Sequence, residues 1–166
     1  MHSRVFCFAK NLDEIRDIYD SISEEDIVEE IRGVDYAVVT DEFEGDIRWL
    51  AEVYEIPEDD IKIETYEVDG EKIKIARIKV RHLLAALKKE RGRRFEAICK
   101  ELEKEHPSLF EIARKAYLEK GFYAYIPDWG IEPMFIIPEI VKKYPSYFEN
   151  NFKEEVYIYK IFDYHF

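Results

Sequence analysis

The sequence predicts an α+β fold: one domain over residues 1–166 with a mixed sheet, made of an acidic α/β part (1–80) and a helical, aromatic part (81–166). Three observations carry this. The opening 60 residues alternate short apolar runs with helical periodicity, a βαβαβ-like order that favours parallel strands and right-handed crossovers. Asp69-Gly70 then separates two segments of strict apolar/charged alternation, which marks a β-hairpin whose turn needs positive φ. From His82 the pattern is helical until "EEVYIYKIFDYHF" closes the chain as a strand.

Taken in order, "RVFCFA" is an apolar run of strand length. "NLDEIRDIYDSI" sets Leu12, Ile15, Ile18, Tyr19 and Ile22 at helical spacing behind Asn11, an N-cap whose side chain can accept from an orphan N–H. "SEEDIVEEIRG" carries its own limits: Ser23 as cap, Asp26 as an acidic variant of the capping box, and Gly33 as stop. "DYAVVT" is the second strand, and "EGDIRWLAEVYEI" is an amphipathic helix that must end before Pro57. In the hairpin, Ile61, Ile63 and Thr65 are expected to share a face with Ile73, Ile75 and Arg77, with one face of the sheet covered. "LLAALKKE" leads through Gly92 into "RRFEAICKELEKE", with Leu84, Leu87, Phe95, Ile98 and Leu102 on one side. "SLFEIARKAYLEKG", "PEIVKKY" and "PSYFENNF" are further helical pieces around an aromatic loop, "FYAYIPDWGIEPMFIIP". P-S-x-F-E occurs twice, with Pro107 and Pro145 expected at the first helical position, where a missing N–H costs nothing.

Composition narrows the function classes. A hydrophobic fraction of 47% and an aromatic fraction of 15% are ample for a core. Disordered chains lack such residues. No stretch reaches the roughly 20 apolar residues of a membrane span. The apolar part of "MHSRVFCFAK" is too short for a signal peptide, so a cytoplasmic location is expected. Cys7 and Cys99 make no disulfide framework, and each is expected as a small buried hydrophobe. His2, His82, His106 and His165 have no ligand-like spacing. No glycine-rich phosphate loop is present. Glutamine is absent while Glu (25) and Lys (15) abound, which reads as a thermophilic source using ion-pair networks.

Charge is uneven. Residues 11–60 hold 19 acids against Arg16, Arg32 and Arg48, a net of −16 in a chain of net −12. Arg77–Phe95 holds eight bases and one acid, Glu90. On a continuous helix, Lys89, Arg93, Lys100 and Lys104 fall in one stripe, with Lys89/Arg93 and Lys100/Lys104 as like-charge i,i+4 pairs. Each such pair costs roughly 0.2–0.5 kcal/mol. Two readings account for that repulsion. An anionic partner, nucleic acid included, would neutralise the stripe. Otherwise the stripe pairs with the protein's own acidic lobe, within the chain or across an oligomer.

Two other constellations carry chemistry. Tyr125, Trp129 and Phe135 sit on a loop stiffened by Pro127 and Pro133, where aromatic side chains make contact anchors or base-stacking platforms; the other reading is a lid, in which Trp129 and Phe135 close the hydrophobic core. Asp41, Glu44 and Asp46 follow the second strand, where carboxylates can bind Mg²⁺ or Mn²⁺ in a phosphoesterase or nuclease. Their other role is to favour a helix N-terminus. The expected function is a binding module that engages an anionic partner through the basic helix and the aromatic loop, without a cofactor and as a homodimer. The alternative is the metal-dependent phosphoesterase, which requires Asp41, Glu44 and Asp46 to converge with Asp60 or Glu64 in a cleft.

Overall fold

The computed structural model describes residues 2–118 and 121–165. Glu119, Lys120 and Phe166, placed by the sequence in a helix and in the last strand, lie outside the described residues. Among the described residues, one mixed sheet contains β1 (His2–Ala9), β2 (Tyr36–Val39), β3 (Ile61–Val68), β4 (Glu71–Lys79), β5 (Tyr123–Ile126), β6 (Gly130–Pro133) and β7 (Glu155–His165). Its order is β3-β4-β7-β1-β5-β6, and β2 pairs with the far end of the β7 edge that β4 occupies. The helices are α1 (Leu12–Ile18), α2 (Glu24–Glu30), α3 (Phe43–Tyr54), α4 (Val80–Leu102), α5 (Leu109–Ala113), α6 (Ile137–Lys143) and α7 (Pro145–Asn151). The fold is α+β.

The expected parallel pairing of the opening strands does not occur. β7 inserts between β1 and β2 and is antiparallel to both, and the parallel pairing is β1 with β5. β7 can take the central place because it is apolar on both faces and both faces are covered by the chain's own helices. One face packs Val5, Cys7 and Ala9 of β1 against Ile15 of α1 and Ile27 of α2. The other packs Phe6 and Phe8 against Leu50 and Tyr54 of α3, Leu83 and Leu87 of α4, and Ile137 of α6.

Local signals were specific. Asn11 caps α1 through the Glu14 N–H, and Ser23 with Asp26 forms the capping box of α2. Asp69 (φ 51°) and Gly70 (φ 84°) make the hairpin turn, with Val68 paired to Glu71. That two-residue turn sets the register. Ile61 and Ile63 stand opposite Ile78 and Ala76, so the expected grouping with Ile73, Ile75 and Arg77 is off by one residue. Both faces of the hairpin bury side chains: Ile75 joins one core, and Ala76 and Ile78 join the other.

α4 runs unbroken through Gly92. Leu87 is buried, yet Phe95 and Leu102 are 64% and 56% exposed, because the helix outruns the sheet. Cys99 is exposed on that overhang rather than buried. Pro145 holds the first position of α7, whereas Pro107 precedes Ser108, the side-chain cap of α5. The aromatic segment is no simple loop, since β5 and β6 form a second hairpin within it. Among the described residues, no helix is long and apolar enough to cross a membrane.

Candidate ligand-binding pocket

The basic stripe of α4 faces acids of its own chain. Lys89 Nζ and Arg93 Nη2 both reach Glu55 Oε2, at 2.5 and 2.7 Å. Glu55 ends α3 in the left-handed region (φ 53°), which turns its side chain toward α4. One carboxylate from the acidic part thus bridges the like-charge pair, and both cations hold its pKa below the usual carboxylate range. Lys104 lies 2.5 Å from Glu101, Arg91 pairs with Glu139, and Arg94 with Glu90. Lys100 is exposed and has no acid within ion-pair range among the described residues.

The aromatic residues also disperse. Tyr125 meets Ser21 Oγ at 3.1 Å on the α1 side of the sheet. Trp129 packs on the opposite side against Tyr144, Tyr147 and Phe148, with ring centroids 4.9, 5.5 and 5.9 Å away. Phe135 lies under the Arg94 guanidinium at 4.4 Å. Among the described residues, no ring contact joins the three.

The carboxylates do not converge. Asp46 is buried and accepts from Arg4 Nε at 2.7 Å, while Arg4 also holds Asp163 at 2.7 Å. Glu44 pairs with Lys74 at 2.6 Å, and that contact lowers its pKa. Asp41 is exposed. The helix cap is Glu42, whose side chain makes no capping bond. Asp60 belongs to His82 and Glu64 to Arg77. Among the described residues, no three His, Cys, Asp or Glu side chains group so as to hold a metal ion.

A cavity of about 340 Å³ lies elsewhere, between the sheet, the start of α4, α6 and α7. Its walls are apolar: Phe8 of β1, Leu84 of α4, Ile126 of β5, Val141 of α6, Phe148 of α7 and Val156 of β7 are among them. Glu149 and Lys153 are its charged lining residues, and both are exposed, which places them at the mouth. A polar cleft of about 470 Å³ adjoins it, lined by Lys10, Asn11, Asn150, Asn151 and Tyr157 among others. Lys153 lines both spaces and has no ion-pair partner among the described residues.

The pocket forms because α6 and α7 are seven-residue helices, each with a proline in its first turn. Tyr144 (φ −127°, ψ 57°) breaks the helical path between them, so no continuous apolar stripe lies down on the sheet. The aromatic segment supplies the back wall through Ile126, and Trp129 buttresses Phe148. Sequence reasoning missed Lys153. Its available signal was a cation directly after Phe148 and Phe152, an apolar i,i+4 pair. No protein-family model matches the chain, and no curated protein or solved structure matches it either.

Proposed function

We propose that the protein is a binding module for a small amphipathic anion, a molecule with a short hydrocarbon part and a carboxylate-like head. One observation carries this: Lys153, which has no ion-pair partner among the described residues, joins an apolar cavity to a polar cleft that also holds Lys10, Glu154 and Glu155. Ligand sites are typically concave and mostly apolar, with a few polar groups that orient the ligand, and their volumes start at about 300 Å³. The hydrocarbon part fills the space between Leu84, Val141 and Phe148, and the head meets Lys153 and the Asn150/Asn151 amides. The anionic partner expected from the sequence is kept, but its site moves from α4 to the end of α7. A polyanion on α4 would have to displace Glu55 from Lys89 and Arg93, and would meet a chain of net charge −12.

Calorimetric titration with straight-chain carboxylates of increasing length tests the reading. Each methylene buried is worth about 0.8 kcal/mol, so affinity should rise about fourfold per carbon until the cavity is full. Alkylammonium ions of equal length should bind more weakly. Lys153→Glu should reverse that preference, and Val141→Phe should abolish binding of both. If no member of either series binds, or if Val141→Phe leaves affinity unchanged, the pocket is not a ligand site.

A further inference from the structure

Strand β3 is the outer strand of the sheet on the hairpin side. The Asp69-Gly70 turn makes Val68 and Glu71 a hydrogen-bonded pair, and bonded pairs recur at alternate positions: Tyr66–Ile73, Glu64–Ile75 and Lys62–Arg77. The N–H and C=O groups of Ile63, Thr65 and Glu67 therefore point away from β4. Ile61 turns its carbonyl the same way, while its N–H already donates to Glu58. The charges on this edge are unbalanced. Lys62 stands directly opposite Arg77, a like-charge arrangement that destabilises a sheet. Glu64 is engaged by Arg77 at 2.5 Å, and Lys62 has no acid within ion-pair range among the described residues. Ile63, between them, is 37% exposed.

We propose that a second copy of this chain pairs antiparallel along β3, about a two-fold axis through Ile63. An axis perpendicular to the sheet keeps each face aligned with itself. Ile63 then meets its own counterpart in a reciprocal bonded pair, and the Thr65 N–H donates to the Ile61 carbonyl of the second copy. Lys62 stands opposite the second copy's Glu64 at a non-bonded pair, where cross-strand side chains are closest. Symmetry makes this salt bridge twice, as a self-complementary interface requires. Charge selects the register. An axis through Glu64 sets that acid against itself, and one through Thr65 sets Lys62 against Val68 and Ile63 against Glu67.

Sedimentation equilibrium of the ligand-free protein at low salt tests this independently of the pocket. The wild type should show a concentration-dependent dimer. Lys62→Glu places an acid opposite Arg77, so it keeps the fold while setting like charges across the axis. It should weaken the dimer by about tenfold or more, as two cross-strand pairs turn from attractive to repulsive. Glu64→Lys should do the same. An equimolar mixture of the two variants, each shown to be folded by circular dichroism, should restore the dimer, because acid then meets lysine at both positions. A monomeric wild type at its highest soluble concentration overturns the proposal. So does a dimer that Lys62→Glu leaves unchanged, or a mixture of folded variants that stays monomeric. A dimer lost in Phe110→Asp but kept in Lys62→Glu would place the interface on the exposed α4–α5 surface instead and equally overturn it.

Discussion

The two faces of the sheet solve the same burial problem differently. The face under α1 and α2 is filled, and it takes polar groups inside. Lys160, Tyr159, Tyr164 and Ser3 are all nearly inaccessible, and each bonds a backbone carbonyl: Tyr19, Ile18, Gly121 and Gly121 respectively. A bulge makes this possible. Cys7 pairs with Lys160 but Phe8 with Ile158, so Tyr159 is an extra residue, and Tyr159 and Lys160 both serve the same face. Gly121 belongs to the same design, since a Cβ there would lie 2.9 Å from the Tyr164 hydroxyl. The face under α3, α4, α6 and α7 buries ion pairs beside α3 and α4, Asp46 with Arg4 and Glu90 with Arg94, but beneath α6 and α7 it is apolar and leaves a cavity under those two short helices. Polar groups bonded to carbonyls fix where loops sit and close the space. Apolar contacts alone set no such registration, so short helices can leave a gap.

The largest effect should come from the centre of the hollow face. Phe122 is buried, with the rings of Trp49, Phe6 and Tyr54 at 4.7, 5.4 and 6.1 Å. Phe122→Ala should cost about 3–5 kcal/mol by urea unfolding, the usual loss for a truncated core aromatic. A loss below about 1 kcal/mol would mean that the whole face is loose, rather than only the part under α7.

A matched pair of enlargements sharpens the contrast. Ala9 is fully buried on the filled face, so Ala9→Leu should overpack it and cost about 1–3 kcal/mol. Val141 lines the cavity, so Val141→Phe should instead stabilise the ligand-free protein by about 0.5–2 kcal/mol. Thermal unfolding of both variants reads the two signs directly, and equal signs would erase the distinction between the faces.

The buried lysine supplies a subtler probe. Burial lowers the Lys160 pKa from its ordinary 10.5. Between that lowered value and 10.5 the unfolded chain binds more protons than the folded one, so this lysine makes stability rise with pH across the window. Lys160→Met keeps an unbranched side chain and removes the charge. The stability of the wild type relative to this variant should climb as pH rises toward 10.5, and a flat difference would show that Lys160 is not desolvated.

Much of the α1/α2 face was legible, because its signals are local. Asn11, the Ser23–Asp26 box and Asp69-Gly70 each act within four residues, so the sequence states their effect directly. The hairpin faces were misassigned because register depends on which residues the turn pairs, and a one-residue difference moves Ile73 and Ile75 to the other side. Charge patterning showed the repulsion between Lys89 and Arg93 but not the Glu55 carboxylate between them, which comes from a helix 34 residues earlier than Lys89. The pocket was illegible for the same reason. Phe8, Leu84, Ile126 and Phe148 meet only after the sheet has formed, and each alone reads as ordinary core. The exposure of Phe95 and Leu102 likewise depends on where the sheet stops, which helical periodicity does not encode.

The smallest effect concerns Glu101, a polar anchor of the filled face's kind placed at the outer end of α4. Its carboxylate is nearly inaccessible and takes Lys104 at 2.5 Å, the Ser108 N–H at 3.2 Å and Lys115 at 3.3 Å. It therefore ties the end of α4 to the cap of α5 and to the π-helical turn Arg114–Leu118 that follows. These contacts, with Lys104 first, hold its pKa down to about 2 against an ordinary 4.5. A lowered carboxylate pKa means that the unfolded chain takes up a proton first as pH falls. The stabilisation is complete above 4.5 and is lost progressively as pH falls toward 2. Glu101→Gln keeps the shape but not the charge, so the variant should be modestly less stable than the wild type at neutral pH. The two should draw together as the acid limb is descended. Because the contact joins α4 to α5 and not to the sheet, the loss should appear as faster hydrogen exchange in α5, with β1 and β7 unchanged. Exchange that accelerated equally in β1 and β7 would mean that α5 belongs to the main cooperative unit, and the contrast between a tightly tied face and a loosely covered one would then not extend to the end of α4.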